Sequence, residues 1–157
     1  MKVKLVAIGK TDESYLINGM QEYGNRIRHY LPLEVVEIPG LKNASHLGKP
    51  EWKAKEAAKI LPLFSSQDIV ILLDEKGKEM TSVEFSSFLN RNFSSGSKNL
   101  VFVIGGPFGF DESVRKKAQF ELSLSKMTFS HQMVRLFFLE QLYRALTILR
   151  NEAYHHE

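Results

Sequence analysis

No cysteine occurs among the 157 residues. Disulfides, iron–sulfur clusters, cysteine-ligated zinc and thiol nucleophiles are therefore excluded. No apolar run approaches the roughly 18 residues that a membrane helix requires, so no spanning segment is expected. The opening stretch, residues 1–9, is too short and too alternating for a signal h-region. Internal repeats and low-complexity stretches are lacking. Charge of one sign is also scarce: 21 basic residues face 18 acidic ones, a formal net charge of +3. The two signs are balanced in both halves and no basic tail exists, so any nucleic-acid surface has to be assembled by folding. A chain of this length buries about two-thirds of its unfolded surface and needs no metal for stability. One soluble, cytoplasmic domain spanning residues 1–157 is the expectation, with no metal site.

What is present is an alternation of strand and helix signals. Residues 2–8 read as a strand, and Thr11 or Asp12 as the cap of a helix reaching about residue 28. A second strand covers 33–38, a polar loop 40–50 and a charged helix 51–61. Residues 68–73 are a continuous apolar run, the pattern of a strand covered on both faces, and 75–79 read as a turn. Thr81 or Ser82 caps a helix to about residue 92. Further apolar strands cover 100–104 and 120–124, with a short helix capped by Asp111 between them. The longest helix is expected over 131–150, followed by a tail. This order predicts an α/β fold, a mainly parallel sheet with helices on both faces. Ligands in such sheets sit at the carboxyl ends of strands, which points to the loops after Leu73, Ile104 and Leu124.

Gly105-Gly106-Pro107-Phe108-Gly109 follows a buried strand. Adjacent glycines let backbone approach a ligand closely, and they equally suit a tight strand-to-helix turn. Neither a dinucleotide fingerprint nor a P-loop is present. The long helix carries one narrow polar stripe, Glu140, Arg144, Thr147 and Asn151, and an apolar arc wider than one sheet face can cover. The excess points to a second subunit, with a central helix in a monomer core as the alternative. Arg135 lies in that apolar arc and needs a partner: a structural ion pair or a ligand. His131 stands four residues before it, where a helix start favours anions. At the terminus, Tyr154-His155-His156 places an aromatic ring beside two imidazoles, a triplet able to stack on a base or simply to fray.

Several ordered motifs carry a resemblance. They are Leu72-Leu73-Asp74-Glu75-Lys76-Gly77-Lys78, then Phe102-Val103-Ile104 with the glycine-rich pentapeptide, then the run from Leu122 to Arg135. Glu140-Gln141-Leu142-Tyr143-Arg144-Ala145 and a terminal Tyr154-His155 complete the set. Together these resemble, over the whole chain, the RlmH family of the SPOUT superfamily, bacterial methyltransferases acting on N3 of a pseudouridine in 23S rRNA.

The resemblance implies a SPOUT-type fold with a C-terminal trefoil knot, a homodimer, and S-adenosyl-L-methionine as methyl donor. Its cofactor contacts carry over to Leu73, Gly105 and the run Leu124, Ser125, Lys126, Met127, Thr128 and Phe129, with Gly106 and Gly109 in the same loop. His131, Arg135, Arg144, Tyr154 and His155 become the candidate catalytic and RNA-holding residues, some of them reaching across from a partner subunit. The implied substrate is 23S rRNA in the assembled ribosome, with neither DNA nor a membrane as partner. A non-catalytic RNA- or ribosome-binding module of the same fold is the alternative. Two departures stand out. The family's closing Tyr-His is usually followed by Lys or Arg, where this chain has His156-Glu157, and Ser130 stands where proline is common.

Overall fold

The computed structural model describes residues 1–96 and 99–156. Five parallel strands form one sheet in the order β2-β1-β4-β3-β5. In chain order these are β1 (Lys2–Ile8), β2 (Leu33–Ile38), β3 (Asp68–Glu79), β4 (Asn99–Ile104) and β5 (Phe120–Ser123). Among the described residues, four α-helices connect them, α1 (Ser14–Arg28), α2 (Lys49–Ile60, extended by a 3-10 turn at Leu61–Leu63), α3 (Ser82–Phe93) and α4 (Glu112–Arg115), and a fifth, α5 (Met133–Leu149), follows β5.

The strand period of two sorts the apolar residues into two cores. Leu5, Ala7, Phe102, Ile104, Ile71 and Leu73 face one side, where α1, α3 and α5 bring Ile27, Phe85 and Phe138. Val6, Val101, Val103, Val70 and Leu72 face the other, against Ala57 and Ile60 of α2 and Val114 of α4. Helices thus cover both faces, as the strand–helix alternation predicts. Phe102 and Phe138 mark the centre of the larger core, with ring centroids 4.6 Å apart.

Four local expectations shift. The cap of α1 is Glu13, not Thr11 or Asp12, because the Thr11 side chain is drawn inward to Glu37 and Arg135. Residues 75–79 do not end β3. After an excursion the strand resumes, so that Leu122 of β5 pairs with Leu73 and again with Lys78. α5 begins at Met133 rather than at His131, because Gln132 is tied to Asp12 and Lys10 and Ser130 accepts from the Met133 amide. The broad apolar arc of α5 is largely covered within the chain, because α1 and α3 flank it on the sheet. What stays exposed on it is Met133 at 38% and Phe137 at 41%. Elsewhere Thr81 proves to be the cap of α3 rather than Ser82, in a capping box with Glu84 reaching back to the Thr81 amide.

The excursion in β3 depends on Gly77. A Cβ there would lie 2.7 Å from the Glu121 carbonyl carbon and the Leu122 nitrogen, which are backbone atoms with no freedom to turn aside. Gly77→Ala is expected to cost about 2–3 kcal/mol by overpacking. The check is a melting temperature lower by roughly 5–10 °C in thermal unfolding.

Candidate functional site

The carboxyl ends of β3, β4 and β5 open into a cleft of about 540 Å³. Its walls are the three segments singled out by strand periodicity: 73–76, now the excursion within β3, 104–109 at the end of β4 and 122–129 at the end of β5. Nine of the ten residues expected to touch a cofactor line it: Leu73, Gly105, Gly106, Gly109, Leu124, Ser125, Met127, Thr128 and Phe129. Lys126 does not; its ammonium points outward, 3.7 Å from Glu79.

Each wall is held by a specific contact. Arg115, the last residue of α4, joins Asp74 at 3.1 Å to Glu121 at 2.6 Å, so one guanidinium ties the β3 excursion to β5. Asp74 also accepts the Lys76 amide at 2.8 Å. Thr128 donates to Glu75 across the cleft mouth. The Ser123 hydroxyl donates to the Ser125 carbonyl, and the Ser125 hydroxyl accepts from the Met127 amide. The Arg115–Asp74 and Thr128–Glu75 contacts join segments distant in sequence, the other bonds are local, and together they shape the cavity before any ligand enters.

The glycine-rich loop is packed from behind. A Cβ on Gly106 would fall 2.2 Å from a carboxylate oxygen of Glu56 on α2, so no side chain fits there. Glu56 is buried, burial pushes its carboxyl above the ordinary range, and its Oε1 has no hydrogen-bond partner. Gly105 and Gly106 therefore present bare backbone to the cleft, which apolar Leu73, Ile104, Leu124 and Val134 also line. A nucleoside-sized ligand fits such a lining: backbone amides and carbonyls for a heterocycle, apolar walls for its faces.

The candidate catalytic residues fall into three places. His131 lines the cleft, in the turn before α5. Arg135 does not share that position. It is 1% exposed, and its guanidinium makes five hydrogen bonds inside the protein. Nε donates to the His131 carbonyl at 3.0 Å, Nη2 to Ile8 at 2.8 Å, and Nη1 to Gly9, Thr11 and Glu37 at 2.7–2.9 Å. Burial pulls its pKa down and Glu37 opposes that pull. Of the two roles open for Arg135, the geometry is that of the structural ion pair: it pins the end of β1 and the His131 turn together and offers no donor to the cleft.

Arg144, Tyr154 and His155 gather at the far end of α5. Arg144 pairs with Glu140 at 2.6 Å, lies 4.8 Å over the Tyr154 ring and reaches His155 Nδ1 at 3.3 Å. The Tyr154 hydroxyl donates to Glu140 at 3.0 Å and its ring packs edge-on against Tyr143. Burial, with Tyr23 and Glu140 beside it, pushes the Tyr154 phenol well above its usual range, so it remains a neutral donor. The tail is docked on α1 and α5 rather than frayed. Glu157, part of the unusual ending, lies outside the described residues.

Sequence reasoning missed the supporting residues Glu37, Glu56, Arg115 and Asp74. Glu37 carried one usable signal, a carboxylate near the end of an apolar strand. No local pattern marks the others.

The family described as predicted SPOUT methyltransferase matches residues 1–155. The ribosomal RNA large subunit methyltransferase H of Parabacteroides distasonis is 53% identical over 157 residues, the whole of both chains. Its counterpart from Flavobacterium johnsoniae is 54% identical over the same full length. Among solved structures, the SpoU methyltransferase AviRb from Streptomyces viridochromogenes, in complex with AdoMet, aligns with a TM-score of 0.47 at 11% identity, covering 96% of this chain and 61% of that one. With the family matched almost end to end, and with full-length relatives about half identical, this chain belongs to the SPOUT methyltransferase family.

Proposed function

We propose that this chain, as one domain, transfers a methyl group from S-adenosyl-L-methionine to N3 of a pseudouridine in 23S rRNA, working on the assembled ribosome in the cytoplasm. The observation that carries this reading is the cleft itself. Its three walls are the loops expected to hold the cofactor, and the glycine backbone at 105–106 is open to it. The relatives' printed function supplies the substrate class. The intact cleft favours the enzyme over a non-catalytic binding module of the same fold.

When bound, the sulfonium donor would supply a methyl group already activated for transfer, so no thiol nucleophile is needed. The residues present have to bind, orient and exclude water. Leu73, Leu124 and Phe129 shield the donor, while the bare 105–106 backbone and the 124–128 turn fix its orientation. Transfer would break the donor's S–CH3 bond and form N3–CH3, and the N3 proton would pass to His131, the imidazole that lines the cleft just before α5. Arg135 acts at one remove, by holding the His131 turn.

A homodimer completes the site in this reading. Arg144 lies eleven residues beyond Met133, about 16 Å along the helix, so Arg144, Tyr154 and His155 are remote from their own cleft. A partner subunit brings its own copies close. The exposed Met133 and Phe137, at the cleft end of α5, provide apolar surface for that contact. The chain also leaves β5 at the sheet edge and crosses the ends of β3 and β4 before Gln132 bonds to Lys10 and Asp12 beyond β1. That crossing supports the trefoil knot.

The test is isothermal calorimetry with S-adenosyl-L-methionine, followed by a methylation assay on ribosomes from cells lacking this protein. Saturable binding and one new methyl group on a 23S pseudouridine are expected. Absence of cofactor binding by the folded protein rejects the enzyme reading in favour of the binding module.

A further inference from the structure

The cleft mouth carries a feature that donor binding does not explain. Phe108, at the tip of the glycine-rich loop, is 40% exposed. It is nevertheless held in place: the Trp52 ring of α2 packs edge-on at 5.5 Å, and the Lys49 ammonium sits 5.5 Å from its centroid. Phe108 and Lys49 both line the cleft. Behind them, residues 41–60 contain Lys42, Lys49, Lys53, Lys55 and Lys59 against only Glu51 and Glu56, a surplus equal to the whole chain's +3. Glu56 is buried, so it offsets little of that charge at the surface. Among the described residues, Lys42, Lys49, Lys53 and Lys55 form no ion pair.

We propose that Phe108 is a stacking platform for an unpaired nucleotide next to the one being methylated, with Lys49 and Lys53 taking the flanking phosphates. The proposal rests on the rRNA-methyltransferase reading and specifies which edge of the cleft the RNA crosses. Three features carry it. An aromatic ring braced at a cleft rim stacks on any base without reading its identity. A lysine already lying over that ring can yield its place to the base and move to phosphate, because cation–π attraction at an exposed site is weak. The chain's excess positive charge is concentrated in this one segment, whereas the remaining basic and acidic residues balance, so phosphate is drawn to the α2 side. A base must leave its stack to reach a methyl donor inside the cleft, and its splayed neighbour needs a surface to stack on.

The experiment measures KM and kcat for undermethylated ribosomes at saturating donor, using the full-length wild type, Phe108→Ala, Phe108→Tyr and the double variant Lys49→Ala/Lys53→Ala. Phe108→Ala is expected to raise KM about tenfold, and Phe108→Tyr, which keeps the ring, to stay within about twofold of wild type. The lysine pair should raise KM and reduce the slope of log KM against log salt by about two, one for each lysine. Calorimetry with S-adenosyl-L-methionine verifies that the lysine variant keeps its cleft. The single Trp52 reports locally: octauridylate should change its fluorescence in wild type and not in Phe108→Ala. An unchanged KM in Phe108→Ala, or an unchanged salt slope in the lysine variant, overturns the platform while leaving the methyltransferase reading intact. Wild-type protein that binds no donor and methylates no rRNA removes that reading, and the platform with it.

Discussion

Arg135→Met is expected to lower the unfolding free energy by about 3 kcal/mol or more, a melting temperature about 10 °C below wild type. The substitution leaves the Ile8, Gly9 and His131 carbonyls without their donor. Each unsatisfied buried acceptor costs on the order of 1–3 kcal/mol, reduced where water can enter. Glu37 is only partly buried, with 31% of its side chain exposed, and hydration recovers part of the charge penalty. Arg135→Lys should rescue little, because an ammonium cannot span acceptors on both sides of the fork. Adding Glu37→Gln to Arg135→Met should restore part of the loss, and thermal unfolding of wild type, Arg135→Met, Glu37→Gln and the double variant gives the coupling between the two sites. Methylation should fall with the displaced His131 turn. If Arg135→Met melts like wild type yet loses activity, Arg135 contacts a ligand after all and the ion-pair assignment is wrong.

Deleting residues 154–157 should leave donor binding within about twofold and reduce ribosome methylation by about a hundredfold or more, the loss of several charge-assisted contacts. The deletion removes Tyr154 from its place between Tyr143 and Glu140, and it releases Arg144 from the Tyr154 ring and His155. Stability should drop only modestly, since Glu152 with Tyr30 and Arg150 over the same ring stay in place. A mixing experiment then locates the tail's action. Tail-deleted protein combined with a Gly106→Val protein, whose glycine loop is displaced by the clash with Glu56 behind it, should regain activity if the tail serves the partner's cleft. Full activity in the tail-deleted protein alone would reduce residues 154–157 to a structural end cap. Sedimentation gives the same answer independently, because an active 18.0 kDa monomer cannot share a site.

Much of the fold is written in local pattern. The runs at 68–73 and 100–104 announce strands covered on both faces, and each lies in the sheet interior with its residues alternating between two cores. Thr81, one of the two caps read for α3, and Asp111 for α4 mark helix starts that form in the structure. The three strand-end loops were legible for the same reason: ligand clefts of parallel sheets lie where apolar runs stop. The roles within the loops needed the recognisable order of motifs from Leu72 to Tyr143.

Other features have no local signature. The resumption of β3 after Gly77 is one: its residues are charged and exposed, and the strand exists because β5 lies alongside to accept it. The coverage of α5 is another, for a one-dimensional helical wheel cannot count how many neighbours will pack on it. Arg135 stood out as a charge that needed a partner, but Glu37 is 98 positions away along the chain. Arg115 reaches Asp74 across 41 positions, and Glu56 meets Gly106 only because α2 lies behind the glycine loop. Periodicity and caps depend on residues a turn or a strand apart, so the sequence states them outright. Ion pairs, close backbone approaches and the shape of the cleft depend on which distant segments become neighbours, and that is decided only when the two cores close around the sheet.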